Sequence, residues 1–191
     1  ADIGLAAMGL LVLAPLLLVI ASAIKLSSAG PVIFKQTRTG RNLEPFQILK
    51  FRTMRGDADG DRLKLQHINE MSGPLFKADD DPRVTPLGRV LRRTSLDELP
   101  QLVNVLRGEM TLLGPRALSP APSAYEPWQL RRFVVTPGVA CTWQAQRRGD
   151  TDFDAWMRSD LDFVDQPDSP SRNLSLLLRT LRTVVSRSGG R

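Results

Sequence analysis

Apolar residues run without a charge from Ile3 to Ile24, and the chain turns polar and basic at Lys25. About 20 helical residues, rising ~1.5 Å each, reach roughly 30 Å, the thickness of a hydrocarbon core. A cleaved signal peptide fits poorly, because the run is long and lacks a basic leader. Two readings stay open. A straight helix spans the bilayer and leaves the basic body in the cytoplasm. A helix broken at Pro15 enters and leaves one leaflet, with Asp2 and Lys25 on the same side. The chain begins at Ala1, which is compatible with a further N-terminal portion carrying more spans.

Beyond a Ser27–Pro31 breaker cluster, Val32–Thr37 and Phe46–Phe51 read as strands flanking a turn at Thr39–Asn42, a β-hairpin or a crossed pair. Residues 57–72 read as a charged surface helix, weakened by Gly60, with His67 exposed on it. Asp79-Asp80-Asp81-Pro82-Arg83 reads as a turn; it lacks the glycine and terminal glutamate of a calcium loop. Leu87–Arg93 reads as a short helix with Arg89, Arg92 and Arg93 on one face. Ser95-Leu96-Asp97-Glu98 matches a capping box, and Leu99, Leu102, Val103 and Leu106 follow at helical spacing until Gly108. Pro100 suits only the start of that helix. Residues 123–133 read as a helix, Thr136-Pro137-Gly138 as a turn, and residues 172–186 as an amphipathic C-terminal helix that packs on the core or lies in a membrane interface.

Composition narrows the field. At 42% hydrophobic and 24% charged, the 191 residues are neither a disordered chain nor a multi-span membrane protein. A net charge of +6 points to a polyanionic partner: phosphates, an anionic membrane or nucleic acid. One cysteine, Cys141, excludes an intrachain disulfide, and one histidine, His67, leaves no histidine-rich zinc site.

The candidate chemistry centres on Asp97 and Glu98. Adjacent carboxylates at a helix start can simply cap it. They can also supply a nucleophile or hold Mg²⁺. A diphosphate substrate needs cations around such a pair. Arg83, Arg89, Arg92 and Arg93 precede it and Arg116 follows, and arginine suits bidentate phosphate contacts. With the apolar N-terminus, this suggests phosphoryl transfer at a membrane surface. The competing class is a membrane-anchored, non-enzymatic polyanion binder, in which the acidic pair does nothing beyond capping.

The chain resembles the bacterial sugar transferases, monotopic phosphoglycosyl transferases that start exopolysaccharide, O-antigen or glycan assembly. The resemblance rests on LAPLLLVIASAIKLSSAGPVIFKQTRTGRN, PFQILKFRTM, DPRVTPLGRVLRRTSLDELPQLVNVLRGEMTLLGPR, TPGVACTWQ and NLSLLLRTL, nearly the whole chain. It implies transfer of sugar-1-phosphate from a UDP-sugar to polyprenyl (undecaprenyl) phosphate, with UMP released and a covalent aspartyl-phosphosugar intermediate. Carried onto this chain, Asp97 is the nucleophile, and Glu98 with Asp97 holds Mg²⁺. Arg52, Arg83, Arg92, Arg93, Arg116 and Arg148 bind phosphate or nucleotide. The resemblance also selects the re-entrant helix, broken at Pro15. Ala14 stands where such proteins often carry serine, Ala117 where they often carry proline, and Phe163 where tyrosine is common.

The expected fold is α+β, mainly helical: a re-entrant membrane helix over residues 1–26 and a cytoplasmic catalytic domain over 27–191, with a short hairpin and interfacial amphipathic helices. The implied partners are a UDP-sugar, polyprenyl phosphate and the lipid bilayer, with no nucleic acid; a homodimer is compatible. The expected location is the cytoplasmic face of the bacterial inner membrane. The sugar and the pathway are not legible.

Overall fold

The computed structural model describes residues 2–55, 65–78, 80–146 and 151–166, with further single positions between 169 and 180. Helix α1 is one element, Asp2–Ser27, and Pro15 lies inside it without dividing it. Missing one amide, a proline interrupts the hydrogen-bond ladder locally while the flanking turns stay helical. The helix packs through Ala6, Ile20 and Ile24, whereas Leu11, Val12, Leu18 and Val19 are each about two-thirds exposed or more. It is long and apolar enough to cross a membrane.

The hairpin forms as expected. Strands β1 (Ile33–Thr39) and β2 (Pro45–Phe51) pair antiparallel, Ile33 opposite Phe51 and Thr39 opposite Pro45. Helix α2, Pro86–Arg93, is capped by Thr85, whose hydroxyl accepts from the Gly88 amide. Gly88 is needed for close approach: a Cβ there would sit 2.0 Å from the Thr53 carbonyl oxygen. Helix α3 is Gln101–Leu106, and Gly108, at φ +73°, follows its end. Asn104, fully buried, pins α3 to β2. Its Oδ1 accepts from Leu49 N at 3.0 Å, and its Nδ2 donates to Gln47 O at 2.7 Å.

Several elements differ from the sequence reading. Two short strands, β3 (Thr111–Leu113) and β4 (Gly138–Ala140), form a parallel pair. The segment read as one helix over 123–133 is two 3₁₀ stretches, Pro122–Ala124 and Gln129–Val134. His67 is exposed as expected, but in a 3₁₀ turn, Gln66–Ile68. Helices α4 (Thr142–Gln146) and α5 (Phe153–Asp165) come together where Trp143 stacks on Trp156, ring centroids 5.2 Å apart. Residues 57–64, Asp79, Arg148 and most of 172–186 lie outside the described residues; positions 173, 175, 176 and 178–180 are helical.

Three apolar clusters join these elements. One groups Met71, Leu118, Tyr125, Phe133, Phe153 and Met157 beneath α5. A second joins the N-terminal half of α1 to β2, α3 and β3 through Ala6, Ile48, Val105 and Met110. The third joins the C-terminal half of α1 to α2 and β2 through Ile20, Ile24, Phe51 and Leu91, with Leu96 packed against it. Leu96 belongs to the turn that carries Asp97, which packs against α2 and β2.

Candidate active site

Asp97 and Glu98 lie in a 3₁₀ turn, Leu96–Glu98, just before α3. The expected capping box does not form. Ser95 takes the left-handed conformation (φ +54°) and makes no side-chain cap bond. Glu98 turns inward instead of reaching back to the Ser95 amide, because two half-buried cations solvate its charge better than one N–H.

Those cations come from distant segments. From β2, Lys50 Nζ donates to Glu98 Oε1 at 2.9 Å. Arg116, just beyond β3, holds the same carboxylate with both terminal nitrogens: Nη2 on Oε1, and Nη1 on Oε2 at 3.3 Å. From α4, Gln144 Nε2 donates to Oε2 at 3.2 Å. Burial alone would raise the Glu98 pKa. The charges of Arg116 and Lys50, and their hydrogen bonds, outweigh it and hold the carboxyl well below the usual carboxylate range. Lys50 is pulled down by burial despite its partner.

Asp97 is the opposite case. It is 8% exposed, and among the described residues its carboxylate has no hydrogen-bond partner. Burial and the adjacent Glu98 charge push its pKa up to about 6, against the pull of Lys50, Arg92 and Arg116. One carboxylate is therefore locked as an anion. The other keeps its proton up to about pH 6 and is faced by three cations. A carboxylate in that setting can attack an electrophile or take a cation. Cys141 is not a rival, since burial pushes its thiol up to about 12.

The sequence-derived arginines separate into groups. Arg116 is in the cluster. Arg92 is half-buried next to it, its Nε donating to Thr53 Oγ1 at 2.9 Å. Arg93 is exposed on the outer face of α2, with Arg89 and Val90. Arg83 pairs with Asp81, Nη2 to Oδ2 at 2.7 Å, and lies over the Phe76 ring. Arg52 donates to the Ser28 and Ala29 carbonyls, at 2.8 and 2.7 Å, capping the C-terminus of α1. The structure gives Arg52 and Arg83 protein partners that account for their burial. Lys50 and Gln144 were not singled out from the sequence. Strand alternation was the available signal for Lys50, since it places Lys50 opposite the apolar Leu49 and Phe51. Gln144 gave none.

Mg²⁺ prefers hard oxygen donors and commonly takes one or two carboxylates plus substrate phosphates. Asp97 offers an open carboxylate, and Glu98 a second whose oxygens already accept four hydrogen bonds. Among the described residues no third acidic, histidine or cysteine ligand joins them. Asp97 is thus the carboxylate open to an ion whose remaining ligands would be phosphate oxygens or water, and Glu98 would join it only by giving up a hydrogen bond. A separate cleft of about 410 Å³ is lined by Trp128, Asp154, Arg158, Leu161, Asp162 and Asp165. Its three aspartates suit a diphosphate poorly.

A profile of the family described as bacterial sugar transferase matches residues 1–187. The chain belongs to the bacterial sugar transferase family. It is 41% identical over 195 residues to the UDP-glucose:undecaprenyl-phosphate glucose-1-phosphate transferase of Caulobacter vibrioides, covering 97% of this chain and 68% of that protein. It is 38% identical over 194 residues to the galactosyl transferase CpsE of Streptococcus agalactiae, covering all of this chain but 42% of that protein. The Escherichia coli protein of the same name as the Caulobacter one is 43% identical over 157 residues, 79% of this chain and 31% of its own length. This sugar transferase therefore spans only part of several of its relatives.

Proposed function

We propose that this chain transfers sugar-1-phosphate from a UDP-sugar to a polyprenyl phosphate, through a phosphosugar bonded covalently to Asp97. The single observation that carries the reading is the contrast between Asp97, buried with no hydrogen-bond partner among the described residues, and Glu98, gripped by Lys50, Arg116 and Gln144. The Caulobacter and Escherichia relatives transfer glucose-1-phosphate from UDP-glucose to undecaprenyl phosphate, as their names state.

In the first step an Asp97 carboxylate oxygen attacks the β-phosphorus of the donor. The bond from that phosphorus to the bridging oxygen breaks, and the electron pair leaves with UMP. Lys50, Arg92 and Arg116 offset the charge on the phosphoryl oxygens. In the second step the lipid phosphate oxygen attacks the same phosphorus, and Asp97 returns as a carboxylate. Asp97, and Glu98 on giving up a hydrogen bond, would hold Mg²⁺, which would supply charge neutralisation at the diphosphate.

The membrane reading rests on α1. Asp2 accepts from the Leu112 amide at 3.1 Å and from the Thr111 hydroxyl, while Arg52 holds the other end. Both ends of the apolar helix thus contact the same body, which favours the re-entrant disposition over a full span. The exposed Arg89, Val90 and Arg93 of α2 suit an interfacial position on the cytoplasmic face of the inner membrane.

The deciding experiment is intact-protein mass spectrometry after incubation with UDP-sugars and Mg²⁺, without acceptor. Wild type gains the mass of a sugar phosphate and releases UMP; Asp97→Asn does neither. An adduct of unchanged yield in Asp97→Asn removes the nucleophile from this position.

A further inference from the structure

We propose that Arg132, held by Asp160, is a positioning residue that fixes Arg116 against Glu98, an inference that rests on the reading of Arg116 as part of the transfer site. Arg132 lies in the 129–134 segment and Asp160 on α5, and neither touches the carboxylate pair. Arg132 Nε and Nη2 donate to Asp160 Oδ2 at 3.0 and 2.7 Å. The same Nη2 donates to the Arg116 carbonyl oxygen at 2.6 Å. The two side chains are 2% and 1% exposed. The Phe133 ring packs against the guanidinium with its centroid 5.1 Å away, and the Tyr125 ring lies at 5.9 Å.

A buried ion pair is an expensive route to stability, because desolvation consumes most of the attraction, and apolar residues of similar volume often serve as well. What apolar residues cannot supply is a rigid fork that satisfies a carboxylate and a main-chain carbonyl at once. The carbonyl it reaches belongs to Arg116. The other side of that segment is fixed too. Gly138 N donates to Pro115 O at 2.9 Å, and a Cβ on Gly138 would sit 2.0 Å from Gly114 N. The backbone that aims Arg116 at Glu98 is therefore clamped between β4 and Arg132. Asp160 keeps the charge of Arg132 neutralised so that the fork can sit in the interior.

The test uses the full chain in detergent or nanodiscs, with UMP release as the rate and thermal unfolding as the check on folding. The paired replacement Arg132→Met with Asp160→Leu removes both charges and the contact with Arg116. It is expected to unfold within a few degrees of wild type and to lose about 10- to 100-fold in kcat/KM, the scale of an ångström's misplacement. Combined with Arg116→Lys, it is expected to add less than about twofold to the loss from Arg116→Lys alone, because both act through one group. A folded paired variant with wild-type kcat/KM, or losses that multiply in full, overturns the proposal. If the paired variant does not fold, Arg132→Lys, which keeps a charge opposite Asp160, is put through the same cycle. Failure of both to fold assigns the pair to stability alone and also overturns it. A wild type that releases no UMP overturns the transferase reading itself, whereas an active wild type with multiplying losses overturns only the positioning role.

Discussion

Replacing Asp97 with asparagine removes a charge that the fold holds at a cost, so the variant should be more stable than wild type, but only above a certain pH. The carboxyl sits at about 6 in the folded protein against an ordinary 3.8. The native state therefore binds this proton more tightly than the unfolded chain. Stability from this group is complete below about pH 4 and is lost as pH rises through 6. The difference corresponds to about 3 kcal/mol. For a chain of this size that is ~6–12 °C in unfolding temperature. Thermal unfolding of wild type and Asp97→Asn should thus coincide near pH 4.5 and separate in favour of the variant by pH 8. The same ionisation should appear as an acidic limb in the transfer rate, which falls below about pH 6. An Asp97→Asn protein that is equally or less stable at pH 8 would mean that Asp97 is well solvated or paired, and the case for it as a strained nucleophile would be lost.

Three further outcomes follow from the same contacts. Lys50→Gln removes one of two cations from Glu98 and should cost about 1.5–3 kcal/mol; its charge also lowers Asp97, so the acidic limb of the rate profile should move upward in pH. Asn104→Leu strands the Leu49 amide and the Gln47 carbonyl and should cost about 2–4 kcal/mol in denaturant unfolding, with little change in donor KM. A cysteine at Gly4, where a Cβ meets nothing within 4 Å, should react with an impermeant thiol reagent only from the cytoplasmic side in oriented vesicles. Labelling from the periplasmic side would show α1 to be a full span.

What the sequence made legible was whatever sat in local pattern. The hairpin, α2 and the apolar α1 were visible because alternation, arginines at helical spacing and an uncharged run each lie within one short window. The segment pairing β3 with β4 was not, since strands of three residues carry almost no periodicity and their partner lies 27 residues on. The Ser95–Glu98 capping box misled for a related reason. The pattern is scored on backbone neighbours, yet Glu98 is claimed by Lys50, 48 residues before it, and by Arg116, 18 after it. Asp97 and Glu98 could be picked out as a pair. Their division into an open carboxylate and a locked one depends on who faces each, which only the fold decides.

That division also ties the chemistry to the membrane element. Lys50 and Arg52 are two residues apart at the end of β2, the spacing at which strand residues share a face. Lys50 holds Glu98, while Arg52 holds the carbonyls that end α1. Gly30, at φ +117°, makes room for it, since a Cβ there would lie 2.2 Å from Arg52 Nη1. At the other end of the helix, Asp2 is bonded to Leu112, four residues before Arg116, the second cation on Glu98. Each end of α1 is thus fastened to a segment that grips the same carboxylate. A helix seated in lipid by its exposed leucines and valines would bring that carboxylate, and the open Asp97 beside it, to a fixed depth at the headgroups, where the proposed transfer would join a lipid phosphate to a soluble donor.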